Sequence, residues 1–380
     1  MSKTLTEIAE LLQASDKKVQ LIYAFNGTGK TRLSREFRKL IDPKSEAEAE
    51  DPADFSNSKV LYYNAFTEDL FYWDNDLDED KERQLNIQPN SFTNRLLNFL
   101  QSQGLDGQIV HRFQQYSNPN ITPYFNDDFS KVSFSLERGG DDSLSKIKIS
   151  KGEESCFIWS VFYALLEQVI LIRNVVEEGE RETNQFNEIQ YVYIDDPVSS
   201  LDENHLMQLA VDLASLIKKS PLSIKFIIST HDTTFYNFLY NELNSKECSL
   251  LEKLEDQSYS LVKKNGDSNT SFFYHLELKR QLEQAIENGN IDRQHFIFIR
   301  NLYEKTASFL GYPKWSMLLP GTNEKNRTAY LNRIIQFSSH NTLANMQPSQ
   351  LRPEEKRMVK LLLDNLVDNY SYWKQEVENA

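Results

Sequence analysis

Cysteine is almost absent: Cys156 and Cys248 are the only two in 380 residues, and neither sits in a CxxC pair or a Cys/His cluster. That excludes a disulfide framework and argues against a zinc site, so both thiols are expected free, as in a reducing compartment. Long hydrophobic runs are missing too. The longest, Phe157–Ile172, contains Glu167 and Gln168 and falls short of the roughly 20 apolar residues of a membrane span. The first residues, MSKTLTEIAELLQASDKK, have charges throughout and no apolar core, so no secretory leader is expected. Internal repeats and heptads long enough for a coiled-coil arm are absent as well. The chain reads as soluble and cytoplasmic.

What is present is a foldable composition with an uneven charge. Hydrophobic residues make up 39%, with 23 Phe and 18 Tyr, ample for two or three domains with ordinary cores. The net charge of −14 argues against a nucleic-acid partner for the chain as a whole. Residues 261–380, however, hold 16 Lys+Arg against 13 Asp+Glu, a net of +3 that leaves −17 on residues 1–260. A mildly basic final third permits RNA contact there, with moderate non-specific affinity.

Periodicity divides the chain in two. Val19–Phe25 is an apolar run entering a glycine-rich turn, and Leu33, Phe37 and Leu40 follow at helical spacing. An acidic segment near 42–58 reads as a mobile surface insertion. Lys59–Phe66 is a second strand, and residues 90–148 are mixed, with nothing catalytic assigned to them. From Ser150 the order is helix (154–173), strand (189–194), helix (203–218), strand (224–229), the alternation of a largely parallel α/β sheet. Beyond about residue 250 helical patterns take over, over 272–288, 293–310, 329–337 and 353–377. The expected division is an α/β P-loop domain at 1–255 and a mainly α-helical domain at 256–380.

The segment AFNGTGKT, Ala24–Thr31, lies between strand and helix, the context of a phosphate-binding loop. Asn26, Gly27, Thr28 and Gly29 supply backbone to cradle phosphates, Lys30 reaches the β/γ oxygens, and the Thr31 hydroxyl can ligate Mg²⁺. Ala24 stands where the first glycine of the pattern usually does. Downstream, YVYIDDPVSSLD puts Asp195 at a strand end, where a carboxylate can hold Mg²⁺ through waters. This segment resembles the ATP-binding-cassette ATPases. In them the residue after that aspartate is usually a glutamate that polarises water; here it is Asp196, one methylene shorter. SKGEE (Ser150, Gly152, Glu153) opens a helix as the cassette signature does, and His231 takes the place of the switch histidine. Taken alone, Ser150 with Glu153 is also a plain capping box. The cassette resemblance implies a head-to-tail dimer in which one protomer's signature covers the other's nucleotide.

The stretch 32–149 is 118 residues, too short for the arms of chromosome-maintenance ATPases. A different output is offered by RNLYEK, where Arg300 and Glu304 share a helix face, and by His340 in QFSSHNT. A guanidinium, a carboxylate and an imidazole suffice to cut RNA without metal: one group deprotonates a ribose 2′-OH, another protonates the departing 5′ oxygen, and the cation offsets charge on the phosphorane. From spacing alone, an Arg–Glu surface pair is the commoner meaning.

Read together, KVQLIYAFNGTGKTRLS, LYYNAFTEDLFYWDNDL, SKGEESCFIWSVFY, YIDDPVSSLDENHL and KKNGDSNTSFFYH closely resemble the PrrC-type anticodon nucleases over essentially the whole chain. The resemblance implies a nucleotide-hydrolysing N-terminal region governing a tRNA endoribonuclease that cuts lysine tRNA 5′ of the wobble base in anti-phage defence. It places Arg300, Glu304 and His340 as the nuclease residues, and Asp196 and His231 in nucleotide hydrolysis. Substrate recognition falls on Lys264, Gly266, Asp267, Ser268 and Asn269, with Asp267 facing the wobble uridine, whose cationic amine in bacteria a carboxylate would read. It further implies Mg²⁺ with GTP or ATP, GTP being favoured, dTTP as a stabilising ligand, a type I restriction–modification complex as silencer, and a phage peptide as activator. The competing reading is a cassette ATPase of DNA repair or recombination with a non-catalytic helical adaptor.

Overall fold

The computed structural model describes every residue except 1, 44–54, 65–68, 75–82, 138–142, 145, 198–202, 245, 255, 265–273, 322–323, 339–350, 371 and 373–380. Two compact units are present, residues 1–271 and 272–380.

In the first unit the helices are α1 (Leu5–Ala14), α2 (Lys30–Ile41), α3 (Ser91–Gln103), α4 (Asp106–Tyr116), α5 (Lys151–Asn174), α6 (Glu203–Lys219) and α7 (Thr233–Glu242). Its strands are β1 (Val19–Tyr23), β2 (Val60–Tyr63), β3 (Phe71–Asp74), β4 (Gln84–Ile87), β5 (Ile121–Phe125), β6 (Lys131–Glu137), β7 (Ser143–Leu144), β8 (Tyr191–Asp195), β9 (Lys225–Thr230), β10 (Lys246–Lys253) and β11 (Tyr259–Lys263). The main sheet runs β11-β10-β1-β9-β8-β2. All its pairings are parallel except β10–β11. Strands β1 and β8 are buried at every position, as strands covered on both faces must be. Helices α1 and α2 pack on the sheet through Leu12, Leu33 and Phe37 against Ile22, Tyr193 and Ile227. A smaller antiparallel sheet, β3-β4-β6-β5 with β7 on β6, takes its strands β5, β6 and β7 from the stretch 90–148 that sequence patterning leaves mixed, and β3 and β4 from the residues before it.

Helix α5 is 24 residues long and passes a length-and-composition test for crossing a membrane, but 83% of its most apolar window is buried inside the unit. Its Phe157 meets Phe71, Phe113 and Phe134 edge-on, so it serves as the central core helix. The acidic insertion near 42–58 is held at both ends. The buried Asp42 accepts a bond from the Lys59 amide at 3.3 Å, and Phe55 is buried among Phe92 and Phe186 with Arg95 over its ring.

Strands β10 and β11 lie where the patterning fades into helix, and β11 forms the sheet edge within residues expected to belong to the helical part. Alternation is short and polar there: KECSLLEK and YSLVK owe their strand form to the register Ser249↔Lys263 through Lys253↔Tyr259, a long-range pairing that local propensity does not reveal.

The second unit is helical: α8 (Tyr274–Glu287), α9 (Gln294–Leu310), α10 (Glu324–Ser338) and α11 (Pro353–Asn369), with a 3-10 turn at Trp315–Leu318. Leu282, Phe296, Ile299, Tyr303, Ile334 and Leu362 form its core. Gly311 ends α9 in the left-handed conformation (φ 76°) that glycine adopts without strain.

Candidate functional site: a phosphate loop with an Asp-Asp-His cluster, and a separate Arg-Glu pair

The phosphate loop is fixed by the strands beneath it. Parallel pairing sets Tyr23 beside Thr230 and Asp195 beside Ser229, so the carboxyl ends of β1, β8 and β9 share one edge, where open α/β sheets bind ligands. The Ala24 amide donates to the Thr230 carbonyl at 3.0 Å. Gly27 and Gly29 have φ of 80° and 105°, values that side chains resist and that turn the backbone toward α2. The N-cap of α2 is Gly29, without a side-chain cap, so the first amides of α2 face outward toward any anion.

Four charged groups converge there. Lys30 is buried, and its Nζ donates to the Ala24 carbonyl at 3.1 Å and to Asn26 Oδ1 at 3.3 Å while lying 3.4 Å from Asp196 Oδ2. Asp196 has φ 54°, a left-handed backbone costly for a non-glycine residue. Its amide donates to the Ser229 carbonyl at 2.7 Å. Its carboxylate accepts from the His231 amide at 3.3 Å and pairs with His231 Nδ1 at 2.7 and 2.6 Å. Burial pushes the Asp196 carboxyl up, but the His231 bond and the Lys30 charge outweigh it and hold the group below the usual carboxylate range. The strained backbone aims the short side chain at its two partners.

Asp195 behaves in the opposite way. It is fully buried, and burial raises its pKa against the hydrogen bonds of Ser229 and Thr31. Ser229 Oγ donates to Oδ1 at 2.6 Å, but Oδ2 has no hydrogen-bond partner. An orphaned carboxylate oxygen beside a threonine hydroxyl fits a hard cation such as Mg²⁺, for which Thr31 and Asp195 would be the protein ligands. No group of three or more His, Cys, Asp or Glu suited to a metal occurs among the described residues.

Of the expected signature residues, Ser150 caps α5. The Glu153 amide donates to Ser150 Oγ at 3.3 Å and the Ser150 amide to Glu153 Oε2 at 2.7 Å, a full capping box with Gly152 in the first turn. Sequence reasoning gives no role to the next residue, Glu154. It is buried, accepts from Trp73 Nε1 at 2.9 Å, and pairs with Lys151 at 2.6 Å, tying α5 to the small sheet.

In the helical unit Arg300 Nε donates to Glu304 Oε1 at 2.8 Å. Their side chains are 39% and 38% exposed, whereas the adjacent Ile299 and Tyr303 are buried. Tyr303 Oη donates to the Leu362 carbonyl at 3.0 Å and accepts from Asn365 at 2.8 Å, so α9 is locked to α11 with its Arg-Glu face outward. Of the recognition segment only Lys264 is described, exposed, its amide bonded to the Cys248 carbonyl at 2.8 Å. Gly266, Asp267, Ser268, Asn269 and His340 lie outside the described residues.

Comparison with known proteins identifies the family. A family model described as an AAA domain matches residues 123–350, a span that includes Asp195, Asp196 and His231 and begins after the phosphate loop. Among solved structures, the SmcHead bound to the C-winged helix domain of ScpA is 12% identical, with a TM-score of 0.34, over 68% of this chain and 93% of that one. The SMC head domain from Thermotoga maritima is 12% identical, with a TM-score of 0.29, over 66% and 92%. An Escherichia coli protein, "Anticodon nuclease", is 56% identical over 400 residues, covering 100% of both chains. With its ATPase domain and its helical C-terminal unit, this chain belongs to the anticodon nuclease family.

Proposed function

We propose that the protein is a tRNA anticodon endoribonuclease controlled by a nucleoside triphosphate. The observation that carries this reading is the 56% identity to an anticodon nuclease along the full length of both chains, and the phosphate loop with its buried Lys30 supports the control element. The substrate is lysine tRNA, cut 5′ of the wobble base to a 2′,3′-cyclic phosphate. Glu304 and His340 handle the two protons, one as base toward the 2′-OH and the other as acid toward the departing 5′ oxygen, and Arg300 offsets the charge on the phosphorane. The bond between Arg300 and Glu304 keeps the guanidinium beside the carboxylate and lowers the cost of bringing both to one phosphate. Residues 264–269 read the anticodon, with Asp267 opposite the cationic wobble base.

In the first unit Lys30 and the loop amides bind the triphosphate, GTP or ATP, and Thr31 with Asp195 would hold Mg²⁺, which supplies charge neutralisation of the phosphates when bound. Asp196 and His231, linked through Nδ1, leave the far imidazole nitrogen for a water. Ser150, Gly152 and Glu153 face the nucleotide of a second copy in a head-to-tail dimer. dTTP as a stabilising ligand, silencing by a restriction–modification complex, activation by a phage peptide and a cytoplasmic location follow from the family reading.

The test is incubation of purified protein with total tRNA, nucleotide and Mg²⁺, with a parallel chelated arm for metal-independent cleavage, followed by sequencing of product ends. Cuts at one anticodon that vanish in His340→Ala support the proposal, whereas uncut tRNA with intact nucleotide hydrolysis rejects it.

A further inference from the structure

Tyr259 meets the phosphate loop from outside the strand–loop–helix segment itself. A Cβ built on Gly29 would lie 3.2 Å from Tyr259 Cε1 and 3.5 Å from its Oη, so the ring packs directly on the N-cap of α2. One turn along, Arg32 Nη1 donates to Tyr259 Oη at 3.3 Å. The tyrosine is buried and thus has little room to yield.

Its backbone is tied on both sides. On one edge the Tyr259 amide donates to the Lys3 carbonyl and the Lys3 amide to the Tyr259 carbonyl, both at 2.8 Å. On the other, Tyr259 opposes Lys253 in the β10–β11 ladder. That ladder continues without a break to Ser249↔Lys263, is reinforced by the Lys263–Glu247 ion pair at 3.1 Å, and ends with the Lys264 amide on the Cys248 carbonyl. Lys264 is the first residue of the segment assigned above to anticodon recognition.

We infer that Tyr259 is a positioning residue that couples the conformation of the phosphate loop to strand β11 and, through it, to the segment starting at Lys264. The inference rests on the reading of Ala24–Thr31 as the nucleotide site. A triphosphate seated on the loop amides must settle against Gly29, whose opposite side is the Tyr259 ring. Because a close-packed contact is bistable rather than soft, displacement at Gly29 passes to a strand whose neighbours on both edges move with it. Loss of the ring leaves nucleotide binding largely intact and disconnects it from β11.

The experiment uses the full chain, Mg²⁺ and non-hydrolysable GTP and ATP analogues in parallel, with amide hydrogen exchange at 259–264 and tRNA cleavage as readouts. In the wild type, nucleotide changes exchange at 259–264. In Tyr259→Leu that change disappears, the ratio of cleavage rates with and without nucleotide moves at least tenfold toward one, and the nucleotide concentration for half-saturation stays within about threefold. Tyr259→Phe keeps the ring on Gly29 and retains the response. Exchange at 259–264 that ignores nucleotide in the wild type overturns the inference without need of any variant, as does an unaltered cleavage ratio in Tyr259→Leu. A wild type that cuts no tRNA in either state sinks the nuclease reading, while the exchange data still decide the coupling.

Discussion

The two units build their sites in opposite ways. In the first, Lys30, Asp195, Asp196 and His231 come from three elements and are brought within 2.6–3.4 Å of one another or of shared partners by parallel strand register. In the second, Arg300 and Glu304 come from one helix and lie more than a third exposed. A buried cluster of this kind is preorganised at a cost in desolvation, which shows in the raised Asp195 and is overcome at Asp196 by the His231 bond and the Lys30 charge. A surface pair at i,i+4 is worth under about 0.5 kcal/mol to the fold, so stability places little demand on it. The first cluster is held by packing and strand register, whereas the second pair depends on a single helix face.

The sharpest way to test this contrast is Glu304→Gln. Cleavage of tRNA should fall by about 10²- to 10⁴-fold, with thermal unfolding unmoved because the pair stabilises so little; a large drop in Tm would show the pair to be structural. Phe296→Ala comes next. It removes a fully buried ring of the helical core, costs about 3–5 kcal/mol, and should abolish cleavage while nucleotide hydrolysis survives, provided the units fold independently. Parallel loss of hydrolysis would end that view. Lys30→Ala should reduce hydrolysis by about 10²- to 10³-fold, the usual loss for one charge-stabilising donor, measured as phosphate release. Ser150→Ala should cost about 1 kcal/mol through the lost cap of α5; a further drop in hydrolysis beyond that stability loss would mark the signature role.

The smallest effect is in acid. A carboxyl whose folded pKa is depressed contributes stability that is present above its unfolded pKa, about 3.9, and is lost as pH falls toward the folded value. Asp196 belongs to that class and Asp195, raised by burial, to the reverse: its burial weakens the fold at neutral pH and ceases to as it protonates. Tm profiles should accordingly be flatter in Asp196→Asn below about pH 4 and steeper in Asp195→Asn just above it. Matching profiles in the two variants would contradict the assignment.

Much of this was readable beforehand. Strand–loop–helix at Ala24–Thr31, the helix opened by Ser150 and the four C-terminal helices follow from apolar spacing and turn chemistry, because those signals act within one turn or one strand. The small sheet with Trp73 and the β10–β11 edge were not readable, since their strands are short, polar in part and held by partners far away in sequence. The same holds for Glu154, whose burial makes sense only once Trp73 is placed against it.

Residue identity alone settled which groups could carry charge, ligate Mg²⁺ or cradle phosphate, since those capacities belong to side chains and to glycine's tolerance of positive φ. Whether they meet was decided by the folded chain. Strand register set Asp195 against Ser229, the left-handed turn at Asp196 gave its carboxylate to both Lys30 and His231, and the return of β11 brought Tyr259 onto Gly29 across 230 residues. Contacts over such separations are won by burial summed across the whole core, which no local stretch of sequence encodes.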